Sequence, residues 1–195
     1  MADEGFSTLP WDEPLDAAER IAAAPPTALV KGMFCTQIID MAKERGVELQ
    51  RPRYSAFRDY AFGEWLTLME EAAARAFPKL SPRAAVAELA RPTFPRFRDS
   101  LLGRVIFTVA DFEGSLRLAA AAYRRVSIAR CTVTTLRPGY AELELRNVWE
   151  FPAWQVGIYR GGFEAFGLEG TVRTRSHSLS ALDLQLQWRD APQGE

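Results

Sequence analysis

Near residue 127 the spacing of apolar residues changes from nearly four to two, and this change governs what the chain can become. Upstream, Met33, Phe34, Ile38, Met41 and Ala42 recur at helical intervals. Phe62, Trp65, Leu66, Met69, Ala73 and Phe77 form a second stripe, with Glu64, Glu70, Glu71 and Arg75 opposite. A period near 3.6 puts such residues on one face of a helix, the face that enters a core. Downstream, Ala141, Leu143 and Leu145 alternate with Glu142, Glu144 and Arg146, while Leu182, Leu184, Leu186 and Trp188 alternate with Asp183, Gln185 and Gln187. Strict alternation marks a strand with one face inward and the other, on this reading, in water.

Punctuation sets the boundaries. Gly46 stands where the first long helix needs a left-handed terminal residue, and Pro78 ends the second. Ser81-Pro82 starts a third, with Ser as cap and Pro in the first turn. Pro92 and Pro95 predict a break near Phe94, followed by helices over 97–109 and 112–125 that are separated near Asp111–Gly114. The runs 127–136 and 140–148 flank Arg137-Pro138-Gly139 as a hairpin. Phe151-Pro152 opens a helix with Val156, Tyr159, Phe163 and Phe166 along one side, closed by Gly167 and Gly170, and strands at 171–177 and 182–188 follow. The resulting fold class is α+β: a helical N-terminal half packed on a four-stranded antiparallel sheet, with a ββαββ C-terminal half.

The expected organisation is an acidic, partly disordered leader over 1–27, a single domain over 28–189 and a tail over 190–195. The leader holds Asp3, Glu4, Asp12, Glu13, Asp16 and Glu19 with no Lys or Arg before Arg20, and Pro25-Pro26 marks the junction. Residues 83–130 carry nine arginines against four acids, a basic middle on which the leader can lie. A chain of 195 residues buries enough surface to fold without disulfide or metal. Cys35 and Cys131 are therefore expected as free, buried thiols, which suits a cytoplasmic location. No apolar run is long enough for a membrane span. The net charge of -1 gives no general attraction to nucleic acid. No phosphate loop, dinucleotide fingerprint, zinc-protease helix or nucleophile elbow occurs. An enzyme, a metal and a cofactor are accordingly not expected.

Three segments carry a resemblance: Val30-Lys31-Gly32-Met33-Phe34, Arg96-Phe97-Arg98-Asp99-Ser100-Leu101-Leu102-Gly103-Arg104, and the ββαββ end closing on Gln187-Trp188-Arg189. Over residues 28–189 the chain resembles a paralogous family of uncharacterised proteins abundant in myxobacteria. More distantly it is similar to the superfamily that unites haem nitric-oxide sensors, vinyl-reductase-type binding domains and Bet3-like subunits of the TRAPP tethering complexes. That resemblance implies a guest (haem, a small hydrophobic ligand, an acyl chain or a protein partner) held between helices and sheet. A haem sensor needs a proximal histidine on a helix. The sole histidine here is His177, on a strand face shared with Arg173 and Arg175 and expected to face water.

The sharpest local feature is Asn147–Trp154, where a strand passes into a helix. Trp149, Phe151, Trp154 and Tyr159, with Phe107 from the middle of the chain, either finish the core or line an apolar ligand cavity. Arg104 either orients a ligand carboxylate or phosphate there, or pairs with Asp99 or Asp111 to brace two helices. The functional expectation is a noncatalytic sensory or adaptor module, with a role in signalling, that binds a small apolar or amphipathic ligand or a protein partner and is compatible with a homodimer. The alternatives are a dimerising scaffold without ligand and an enzyme of unrecognised type assembled from scattered acids and arginines.

Overall fold

The computed structural model describes residues 5–51, 53–99, 111–118 and 128–192. The helical half begins with a short α1 (Ala17–Ala23), then β1 (Leu29–Lys31), α2 (Gly32–Glu44), β2 (Asp59–Ala61), α3 (Phe62–Ala76), α4 (Pro82–Ala90) and α5 (Thr93–Asp99). Residues 112–118 form α6. Its start is fixed by Asp111, whose side chain accepts the backbone N–H of Gly114 at 2.7 Å and so satisfies a first-turn donor. The C-terminal half is β3 (Arg130–Arg137), β4 (Tyr140–Arg146), α7 (Pro152–Ala165), β5 (Leu168–Ser178) and β6 (Ala181–Asp190).

The four long strands form one antiparallel sheet in the order β3-β4-β6-β5. Leu143 pairs with Leu184 and Leu145 with Leu182, which puts the apolar residues of the central strands on one face. The helices cover that face. Trp65, Leu66, Leu68 and Met69 of α3, Val86 and Leu89 of α4, and Trp154, Val156, Tyr159 and Phe163 of α7 are buried with Leu143, Leu145, Leu184 and Leu186 in one core. The helix-over-sheet α+β expectation thus holds, and Gly46 has the left-handed φ of +75° that its capping role requires.

Several local expectations are corrected. Of the two prolines expected to break the chain, Pro92 does stand in the turn between α4 and α5, but Pro95 breaks nothing: Arg96 N–H donates to the Pro92 carbonyl at 3.0 Å, and α5 runs through Pro95. Pro95 stands in the first turn, where a missing N–H costs no helical hydrogen bond. The two-stranded ribbon β1–β2 has three pairs, too few to produce a readable alternation. Ser81 stands at the start of α4, yet its hydroxyl makes no cap. It donates instead to the carbonyl of Trp11 at 2.7 Å. The outer sheet face is not uniformly wet either, because Asp183 and Gln185 are each only 4 % exposed.

The segment ahead of Pro25-Pro26 packs on the domain. Phe6 and Leu9 are buried, and Ser7 bridges Thr174 on the free edge of β5. Arg83, from the basic stretch, pairs with Glu13 at 3.0 Å.

Candidate functional site

A cleft of about 650 Å³ opens where five parts of the chain meet: the N-terminal segment, α1, the start of α4, the start of α7 and the end of β5. Leu9, Leu15, Phe151 and Leu179 give it an apolar floor, and Arg20, Arg83, Arg175 and His177 give it polar walls. Each wall residue is held by a definite partner.

Arg20 is 4 % exposed. Its Nε donates to Asp16 Oδ1 at 2.7 Å, one helical turn back. Its Nη1 donates to the carbonyl of Glu150 at 3.1 Å and to that of Leu179. One guanidinium therefore ties α1 to both the β4–α7 junction and the β5–β6 turn.

Asp183 lies beneath the other wall. Arg146 Nη1 reaches its Oδ1 at 2.7 Å, while Arg175 Nη2 and His177 Nε2 reach its Oδ2 at 2.8 and 2.7 Å. Burial alone would raise this carboxyl, but hydrogen bonds from His177, Arg175 and Arg146 hold it down at about 2. With both oxygens engaged by guanidinium groups, Asp183 stays an anion that orients the His177 imidazole. Among the described residues no hydroxyl or thiol bonds that imidazole, so the pair lacks the nucleophile that a hydrolytic triad requires.

Glu150 presents the opposite case. Burial raises its carboxyl to about 7, against smaller lowering effects from its own N–H, Arg20 and the N–H of Trp149. Its Oε2 is buried and, among the described residues, without a partner, as is Nε1 of Trp149. Cys35 and Cys131 are both buried, and burial pushes each thiol up to about 12, so neither is poised as a thiolate. Among the described residues no three His, Cys, Asp or Glu side chains gather as a metal site.

Of the residues singled out from sequence, Phe151 lines the cleft. Trp154 stands edge-on to Trp65 with centroids 5.8 Å apart, and Tyr159 is buried against Cys131. Trp149 is half-buried against the core. Arg104 and Phe107 lie outside the described residues. Sequence reasoning missed Arg20, Arg83 and Arg175 as wall residues and Asp183 as the carboxylate beneath them. A signal existed for two of them: Arg173, Arg175 and His177 alternate along one strand, and the facing strand places the carboxylate of Asp183 opposite Arg175.

Residues 26–189 match the family profile "Protein of unknown function (DUF2378)". The chain belongs to this family. A comparison with curated proteins gave no match. The DUF2378 fold is similar to solved H-NOX structures. The Fe(II) unliganded H-NOX protein from K. algicida has 15% identity and a TM-score of 0.60, over 85% of this chain and 100% of that one. The S. oneidensis H-NOX protein in its Fe(II)NO ligation state has 14% identity and a TM-score of 0.60, over 83% and 100%. A further structure, described under modulation of haem redox potential through protein-induced porphyrin distortion, has 12% identity and a TM-score of 0.56, over 80% of this chain and 96% of that one.

Haem does not fit this DUF2378 chain through histidine. His177 lies on the outer sheet face, opposite the face that the core helices cover, and is bonded to Asp183. Between helices and sheet, rings fill the space: Phe112 is 5.0 Å from Trp188 and 5.2 Å from Phe163, and Trp154 meets Trp65. A macrocycle would have to displace them.

Proposed function

We propose that this DUF2378 chain is a noncatalytic sensory or adaptor module that keeps an H-NOX-like scaffold without histidine-ligated haem. Its small amphipathic ligand or protein partner enters the cleft at the end of β5, with Phe151 as floor and Arg83 and His177 at the rim. Phe151, Trp154 and Tyr159 belong to the same core, and Trp149 packs against it. The observation that carries this reading is the position of His177, on the outer face of the sheet and committed to Asp183 rather than on a helix facing the helix–sheet core. The two buried thiols suit a reducing compartment, and signalling is the role that this reading assigns to the module.

Titration with ferrous haem, followed by absorbance, tests the reading. The expected result is no stoichiometric histidine-ligated spectrum, with His177→Ala behaving like the unsubstituted chain. A stoichiometric five-coordinate ferrous spectrum that His177→Ala abolishes would overturn it.

A further inference from the structure

The N-terminal segment is bound to the domain in the manner of a peptide. Between Gly5 and Asp16 it forms no helix and no long strand, yet its backbone is gripped at each step. Ser7 and Thr174 exchange both hydrogen bonds, at 2.9 and 2.8 Å, adding one rung to the edge of β5. Arg173 donates to the Phe6 carbonyl at 2.9 Å. Ser81 takes the Trp11 carbonyl, and Arg83 takes those of Pro10 and Pro14, each at 3.2 Å. The side chains are read too. The guanidinium of Arg175 stands 4.3 Å over the Phe6 ring and that of Arg160 stands 4.7 Å over Trp11, while Arg83 pairs with Glu13.

All the gripping residues lie within 26–189, the part shared with the family, and the gripped residues precede it. The segment also fills its seat incompletely, since the 650 Å³ cleft runs between it and the domain. We infer that the groove formed by the β5 edge, the start of α4 and Arg160 of α7 is a peptide-recognition site that this chain's own N-terminal segment occupies as a stand-in. The partner it fits is a segment of another protein that starts extended and then turns, with two aromatic residues five positions apart and an acidic residue two positions after the second. The Ser7–Thr174 rung demands an extended start, Arg83 holding the carbonyls of both Pro10 and Pro14 demands a turn after it, and the Arg175 and Arg160 faces demand the aromatics. The groove rests on the adaptor half of the function proposed above, and its test contains no haem, so the two fail separately.

The test uses the full chain and a labelled peptide of residues 2–16, read by fluorescence anisotropy. In the unsubstituted chain the tethered segment competes at a high effective concentration, so the free peptide binds weakly. Substituting Phe6→Ala and Trp11→Ala together loosens the tether. The peptide is then expected to bind at least ~10-fold tighter. Adding Arg83→Glu to that variant is expected to remove at least ~10-fold of the gain. If the double variant does not melt cooperatively, Ser7→Pro replaces it, because it deletes the N–H that Thr174 accepts and spares both aromatics. A folded, loosened variant that binds the peptide no tighter than the unsubstituted chain would overturn the inference. So would an affinity indifferent to Arg83→Glu.

Discussion

Glu150 places a carboxyl in a dry setting where one of its oxygens has, among the described residues, no donor. Its ordinary value of 4.5 is raised to about 7 by burial. Between those values the folded chain holds a proton that the unfolded chain has released, so stability falls as pH rises from 4.5 to 7 and stays reduced above. Glu150→Gln imitates the protonated form. It is expected to match the parent near pH 5 and to melt higher at pH 8, by roughly 5 °C on a contribution of about 2 kcal/mol. Equal shifts at both pH values in thermal melts would show that the carboxyl does not titrate in the fold. The contrast with Asp183 shows what alternation along a strand leaves unsaid. The pattern at 182–188 correctly sends Leu182, Leu184, Leu186 and Trp188 toward the helices. It also assigns Asp183 and Gln185 to water, whereas Arg146 and Arg175 bond Asp183 and the Tyr140 hydroxyl accepts from Gln185. Long side chains from neighbouring strands made that face partly dry, and their reach is invisible to a period of two.

Helices with long apolar stripes were legible because each stripe has a single face to bury. The α3 stripe, Phe62 to Ala73, enters the core as its spacing predicts. Close approach between helices is legible in Gly161-Gly162, because a glycine inside a helix gives up propensity where no neighbour requires it. On α7 the glycines mark contact: a Cβ at Gly157 would overlap the Ala87 carbonyl of α4, and one at Gly161 the carbonyl of Arg91. Both obstacles are backbone, which cannot swing aside. Gly161→Ala gains helix propensity of about 1 kcal/mol. Overpacking outweighs that gain, and a net loss of roughly 2 kcal/mol is expected. Gly63→Ala provides the comparison, because its new methyl would meet only the side chain of Ile21, at 3.1 Å. Denaturant unfolding of the two variants checks the order, and the argument fails if Gly63→Ala is the more destabilised.

At the scale of the whole molecule, the ββαββ half and its helical cover followed from the change of rhythm near residue 127, because two-layer packing leaves such a pattern few alternatives. The lean of the acidic leader on the basic stretch was legible, and Glu13 meets Arg83 there. How α1 is tied to that body was not, because Arg20 looks like any solvated charge in an alanine-rich helix. In the structure it bonds the carbonyls of Glu150 and Leu179 from α1 while held by Asp16. These carbonyls belong to the β4–α7 junction and the β5–β6 turn, so removing the donor leaves acceptors unpaired at two separate places. Arg20→Met keeps most of the stem volume and deletes every donor. A loss of roughly 2–4 kcal/mol is expected, one buried acceptor costing about 1–3 kcal/mol. Hydrogen exchange gives the sharper readout. If Arg20 couples the two regions, amides in 17–23 and in 178–182 lose protection together while those of β4 keep theirs. Loosening of α1 alone would mean that the turn is held by the sheet, and that the N-terminal segment can leave its groove without disturbing the cleft wall.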